Sequence, residues 1–243
     1  MNREEINSIV DRALSEHLGA GLFNKKTHDG VTKYSLFMPL TGTGENGSAP
    51  DQLEKTVIGN TSKTYVKGRQ DNPQITIPFY AHRDNYRILE SVKNTTQEFL
   101  RVNPDMTGIK YSGQVDYKTN NTDVGSLIQG ELSITVTKYD GFVDNVSDVI
   151  ENTAIIESEV PEEVNVTTTG AGNTYSFKVE TNPSNATVTA KSETTSVATV
   201  AVDNGTVTIT GVAAGTAIVE LTTSATNNAP FKRTIMVFVK AAA

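Results

Sequence analysis

The chain has 243 residues, a formal charge of −7, no cysteine and no tryptophan. Those values exclude disulfides, thiolate chemistry and cysteine-built zinc or iron–sulfur sites, and no apolar run approaches the roughly 20 residues that cross a bilayer as a helix. Residues 1–142 carry 16 basic and 17 acidic side chains, residues 143–163 none and 7, and residues 164–243 5 and 4, so neither flank of the acidic stretch has the basic excess of a tight nucleic-acid binder.

A helix is expected over residues 2–18. Ile6, Ile9, Val10, Ala13, Leu14 and Leu18 share one face, Asn2 and Glu5 have capping-box spacing, and Gly19 can end it. That face either packs on its own domain or docks on a neighbouring subunit, with Ile6, Ile9, Val10 and Leu14 as contacts. Its charge argues against an export leader. After a turn at His28-Asp29-Gly30 comes a strand over residues 31–40. Residues 41–51 (TGTGENGSAPD) then read as a mobile loop; Gly42 and Gly44 lack the Lys-Ser/Thr ending and the following helix of a phosphate loop.

Residues 52–58 and 62–66 read as strands, residues 67–73 as a turn, and Ile75, Ile77 and Phe79 as the inward side of another strand. Residues 84–92 form a short helix with Tyr86, Leu89 and Val92 inward and Asp84 as N-cap. Strands follow at 97–102, 110–117 and 127–139; in the last, Leu132, Ile134 and Val136 oppose Ser133, Thr135 and Thr137. Self-repulsion among Asp144, Asp148, Glu151, Glu157, Glu159, Glu162 and Glu163 predicts a hydrated tether, taken over residues 143–160, with a short strand through Ile155, Ile156 and Val160. It separates domains at 1–142 and 161–243.

Beyond the tether the period is two. Tyr175, Phe177 and Val179 alternate with polar neighbours, Val200 and Val202 lead into Asp203-Asn204-Gly205, and Val207 and Ile209 return, which is a hairpin pattern. Val219 and Leu221, then Ile235, Val237 and Val239, supply further strands. The wording GVAAGTA, from Gly211, resembles the bacterial Ig-like module of group 2, over about residues 161–240, and implies a small β-sandwich.

Residues 54–80 (EKTVIGNTSKTYVKGRQDNPQITIPFY), the helix after them, a strand ending in a glycine-bearing turn and a long strand followed by Gly141 together resemble the major tail tube protein of long-tailed, non-contractile, lambda-like phages. The whole is then mainly β: a tail-tube β-sandwich or barrel with a flanking helix, plus a C-terminal Ig-like β-sandwich. The resemblance implies a structural virion protein made in the host cytoplasm, polymerising with itself as stacked hexameric rings, with tail tip, tape measure and terminator proteins as partners. DNA would pass through without specific binding, and the Ig-like module would stand outside, touching the host surface weakly. Gly42, Gly44, Glu45, Asn46 and Gly47 are the expected inter-ring contacts. No membrane insertion, cofactor, metal or catalytic role is expected.

Chemistry elsewhere is thin. His17, His28 and His82 share no ligand spacing. His82-Arg83-Asp84 lacks a nucleophile, Asp71, Asp105 and Asp116 would have to meet in space to act as glycosidase acids, and Asp203 is already explained by its turn. The competing readings are a bacterial surface adhesin or another virion decoration protein with the same module, and a carbohydrate-active enzyme, which would need aromatic platforms.

Overall fold

Leu22, Phe23 and Asn24 are consecutive and all buried, which a strand achieves only when both of its faces are covered at that point. They belong to β1 (Gly21–His28), which the sequence analysis did not anticipate because such a run hides the two-residue period. The computed structural model describes residues 21–28, 30–38, 40–42, 52–54, 65–67, 74–120 and 129–242. Gly30, at φ +80, carries the chain into β2 (Val31–Leu36). That strand ends early: Phe37 and Met38 turn into the core, each 2% exposed. The expected N-terminal contacts Ile6, Ile9, Val10 and Leu14, and the loop residues Gly44, Glu45, Asn46 and Gly47, lie outside the described residues.

A short antiparallel pair, β3 (Gln52–Glu54) and β4 (Tyr65–Lys67), precedes β5 (Gln74–Tyr80) and the helix α1 (Arg83–Val92). Asp84 is not its N-cap. The cap is His82, whose Nδ1 accepts from the Asp84 amide at 3.2 Å, so Asp84 sits inside the first turn, where its charge favours the helix dipole. Leu89 is fully buried beneath the helix, as expected, while Ile88 and Val92 pack on the same core.

Three strands follow: β6 (Thr96–Val102), β7 (Gly108–Thr119) and β8 (Gln129–Val143). They complete a six-stranded antiparallel sheet in the order β2-β1-β6-β7-β8-β5. One face gathers Phe79, Phe99, Tyr111, Val115, Leu132 and Ile134 under α1 and the Phe37–Met38 turn. At the β1 end the other face is covered as well, by Phe23, Leu100 and Val102 around Val146.

Val146 marks the main departure from expectation, because residues 143–160 are not a free tether. Val146 is fully buried, the Tyr34 amide donates to Val149 O, and the Glu151 amide donates to Tyr34 O, so the connector extends the sheet beyond β2. Its other acidic side chains remain on the outside, whereas Glu151 is drawn in with the valines and isoleucines and accepts from the Ser35 hydroxyl at 3.2 Å; apolar burial outweighs like-charge repulsion that water screens. Residues 152–156 then form β9 (Asn152–Ile156).

The remainder is β10 (Glu163–Thr167), β11 (Thr174–Lys178), β12 (Thr181–Asn182), β13 (Thr187–Ser192), β14 (Ala198–Asp203), β15 (Thr206–Gly211), β16 (Gly215–Ser224), β17 (Asn228–Pro230) and β18 (Lys232–Lys240). A sheet ordered β10-β18-β16-β13 faces one ordered β11-β15-β14, and β12-β9-β17 closes one end. Val164, Val207, Ile209, Val219, Leu221, Ile235 and Val237 fill the space between them. The β14–β15 turn uses Asn204 at φ 45 and Gly205 at φ 76, the geometry that the Asn-Gly pair predicts.

Candidate functional site

In β5, β7 and β8 the side chains opposite the core form one broad polar surface. Gln74, Thr135 and Gln114 make one cross-strand row, Thr76, Ser133 and Asp116 the next, and Pro78, Glu131 and Lys118 a third. The two-residue alternation puts them there: Ile75, Ile77, Leu132 and Ile134 take the buried positions between them. Along this face three lysines meet carboxylates, and Lys110 lies over the Tyr34 ring. Lys118 lies 2.8 Å from Glu131 and Lys25 lies 2.7 Å from Glu98, while Lys138 pairs with Asp140. The Lys118 hydrogen bond holds the Glu131 carboxyl below its ordinary range, and the bond to Glu98 raises Lys25. The Asp140 carboxyl is lowered first by the bond from Lys138 and further by the Ser112 hydroxyl. Exposed pairs of this kind add little stability. Their effect is on the field, since each cation is answered beside it.

The register of β7 against β8 slips twice, between Lys110 and Tyr111 and again between Ser112 and Gly113. Asp140 and Thr137 are the unpaired residues of β8 at these slips. Both fold back on Ser112: its hydroxyl donates to Asp140 Oδ2 at 3.1 Å, and the Thr137 hydroxyl donates to Ser112 O at 3.1 Å. Two bulges sharpen the twist of the longest strand and turn its end away from the plane of the sheet. They also interrupt the alternation expected at Thr137. At the far edge, the Thr41 amide and hydroxyl both donate to Pro78 O, at 3.1 and 2.9 Å. A proline suits this strand, which has no neighbour on that side in the sheet among the described residues. Gly42 lies against it, its Cβ position 3.7 Å from the Pro78 ring.

The histidines and aspartates considered for chemistry are not brought together. His28 ends β1, 3.7 Å from Glu151, whereas His82 caps α1. Asp105 binds Thr107 in the β6–β7 turn, Asp116 stands toward the far end of β7, and Asp203 closes β14; His17 and Asp71 lie outside the described residues. Among the described residues no three His, Asp or Glu side chains are placed to hold a metal ion, and no helix is long and apolar enough to cross a membrane. Sequence reasoning found Ser133 and Thr135 but missed Lys25, Glu98, Lys118 and Glu131. Each is an isolated charge in the sequence, and only the register reveals its partner.

Residues 162–232 match the family model of the bacterial Ig-like domain, group 2. The C-terminal sandwich is a bacterial Ig-like domain. The match begins one residue before β10 and ends at the start of β18, so the Ig-like domain is the part that the sequence analysis assigned on GVAAGTA. Among curated proteins none matches the chain. Solved structures similar to it include tandem Ig repeats of Dlar, at 11% identity over 62% of this chain and 92% of that one, with a TM-score of 0.29. Domains 4 and 5 of the S-layer protein SbsC are 14% identical over 91% and 98%, with a TM-score of 0.27. Both scores are too low to carry a relationship.

Proposed function

We propose that the chain is a structural virion protein, the major tail tube subunit of a lambda-like phage, polymerising as stacked hexameric rings around a passage for DNA. The observation that carries this reading is the two-faced six-stranded sheet. One face is packed under α1, and the other presents threonine, serine and glutamine, with Lys25, Lys118 and Lys138 neutralised by neighbouring carboxylates. Such a face can line a conduit: it stays hydrated, and it offers phosphates no run of bare cations on which to stall. Among the described residues β5 is the last strand of the sheet, and in this reading a neighbouring copy meets it along the stretch before Pro78, whose carbonyl Thr41 already takes. The sequence resemblance over residues 54–80 supports the same reading.

In this role the protein is not an enzyme and needs no cofactor. Its partners are its own copies and the tail tip, tape measure and terminator proteins, and DNA passes without specific binding. The Ig-like domain stands outside the virion tube, where many copies add weak contacts with a host surface into avidity. Bulky replacements of Gly44 and Gly47 are expected to spare the subunit and block ring stacking.

Electron microscopy of the purified chain at rising concentration, with and without a tail tip complex, tests the proposal. Tubes of uniform width with sixfold symmetry are expected. Solitary particles at every concentration, even with the tip complex present, would overturn it and leave the Ig-like domain as a display module of a surface adhesin or of another virion decoration protein.

A further inference from the structure

We infer that the first turns of α1 are a docking surface for the chain's own Ig-like domain, a polar latch that fixes the domain in one orientation. Asp84 is its centre. One carboxylate oxygen accepts from the Thr234 hydroxyl at 2.6 Å, the other from the Thr234 amide at 3.4 Å, and the Arg233 guanidinium stands 3.9 Å away. Thr234 and Arg233 are 5% and 4% exposed, so the contact is shielded from water.

His82 adds a second bond across the same seam. Its Nδ1 accepts from the Asp84 amide and must carry a lone pair, which leaves the proton on Nε2, and Nε2 lies 3.1 Å from Glu162 Oε1 just ahead of β10. One turn further, Arg87 reaches Glu193 at 2.8 Å and Glu220 at 3.9 Å. Three successive points, the cap and two helix residues, thus meet carboxylates and a hydroxyl from the segment before β10, from β16, from β18 and from the turn after β13.

The apolar share of the junction is small. Leu36, Ile155 and Phe231 touch in a cluster of three, through which Phe231 reaches the Ig-like core and Leu36 the cluster around Val146. Beside them an open cleft of about 450 Å³ runs between Met38, Ile88, Phe231 and Lys232, so the two surfaces meet along a rim and do not interdigitate. Junctions built this way resemble transient protein interfaces: polar groups can exchange partners for water at little net cost, whereas opening either sandwiched core would expose its whole interior.

Hydrogen exchange on the full chain tests this, read at the amide of residue 234, which donates across the seam to Asp84. Thr234→Val keeps the branched shape of the strand residue and removes the hydroxyl; Asp84→Asn removes the carboxylate. Each is expected to raise exchange there about tenfold, with less than additive effects in the double variant and with core amides of β8 and β15 unchanged. Unchanged exchange at residue 234 in the double variant would overturn the latch. Should a variant fail to fold, the wild type decides: the Thr234 amide is expected to be protected, and exchange there as fast as at an exposed turn amide would likewise overturn it.

Discussion

The six-stranded sheet and the Ig-like domain solve the same problem with different partners. In the Ig-like domain each sheet is the cover of the other, so inner residues such as Val207, Ile209, Val219 and Ile235 need only alternate with polar ones. The leading sheet has no second sheet of comparable size among the described residues. It covers one face with a helix and a turn, covers one end of the other face with the connector, and leaves the rest polar. A sandwich is therefore complete in itself, whereas a sheet with one bare polar face has surface left over for other tasks.

Core truncation should produce the largest effects and divide the two regions. Phe79→Ala and Ile209→Ala, both fully buried, are expected to cost about 3–5 and 2–5 kcal/mol. In a calorimetric scan each should lower one transition and leave the other near its original temperature; a single transition shifted equally by both would merge the regions into one cooperative unit. Next comes Gly211→Ala. A Cβ there would stand 2.4 Å from Thr167 O, a backbone atom, and overpacking of this kind costs about 1–3 kcal/mol, measurable as a lowered denaturant midpoint for the Ig-like domain alone.

Asn173→Ala should follow. Its side-chain amide donates to Thr167 O, Thr168 O and Gly211 O, tying the end of β10 to β15, and leaving those carbonyls unmet should cost about 1–3 kcal/mol, again confined to the Ig-like transition. The smallest effect belongs to the leading region. Tyr117 donates to the Glu90 carboxylate, and this bond first, then burial, pushes the phenol up to about 12. A raised phenol favours the folded state while it stays protonated, so its contribution is full below pH 10 and is lost as pH climbs from about 10 to about 12. Tyr117→Phe should flatten that part of the stability profile, which alkaline denaturation followed by circular dichroism would record.

The same contrast explains what could be read in advance. Strands β14, β15, β16 and β18 were legible because their covers are alike, and Asn204-Gly205 announced its own turn. The core side of β5 and β8 was legible for the same reason. In β1, Leu22, Phe23 and Asn24 gave no period because their covers differ, being α1 and its turn on one side and Val146 on the other. The connector was misjudged because its charge was weighed before its valines and isoleucines. The polar face was half visible, in Ser133 and Thr135. Its ion pairs and its double bulge depend on a register between residues far apart in sequence, and the latch depends on contacts such as Asp84 with Thr234, which no local pattern encodes.

Strands β10 and β18 run in the same direction, with Glu163 beside Met236 and Thr167 beside Lys240. The polypeptide therefore arrives in the sandwich at the pole that touches α1 and departs at the opposite pole, about 13 Å further on at the usual rise per strand residue. A fluorophore or peptide grafted after Lys240 would stand clear of the helix and of the broad sheet alike, which makes that pole the natural place to mount a label when the protein is imaged.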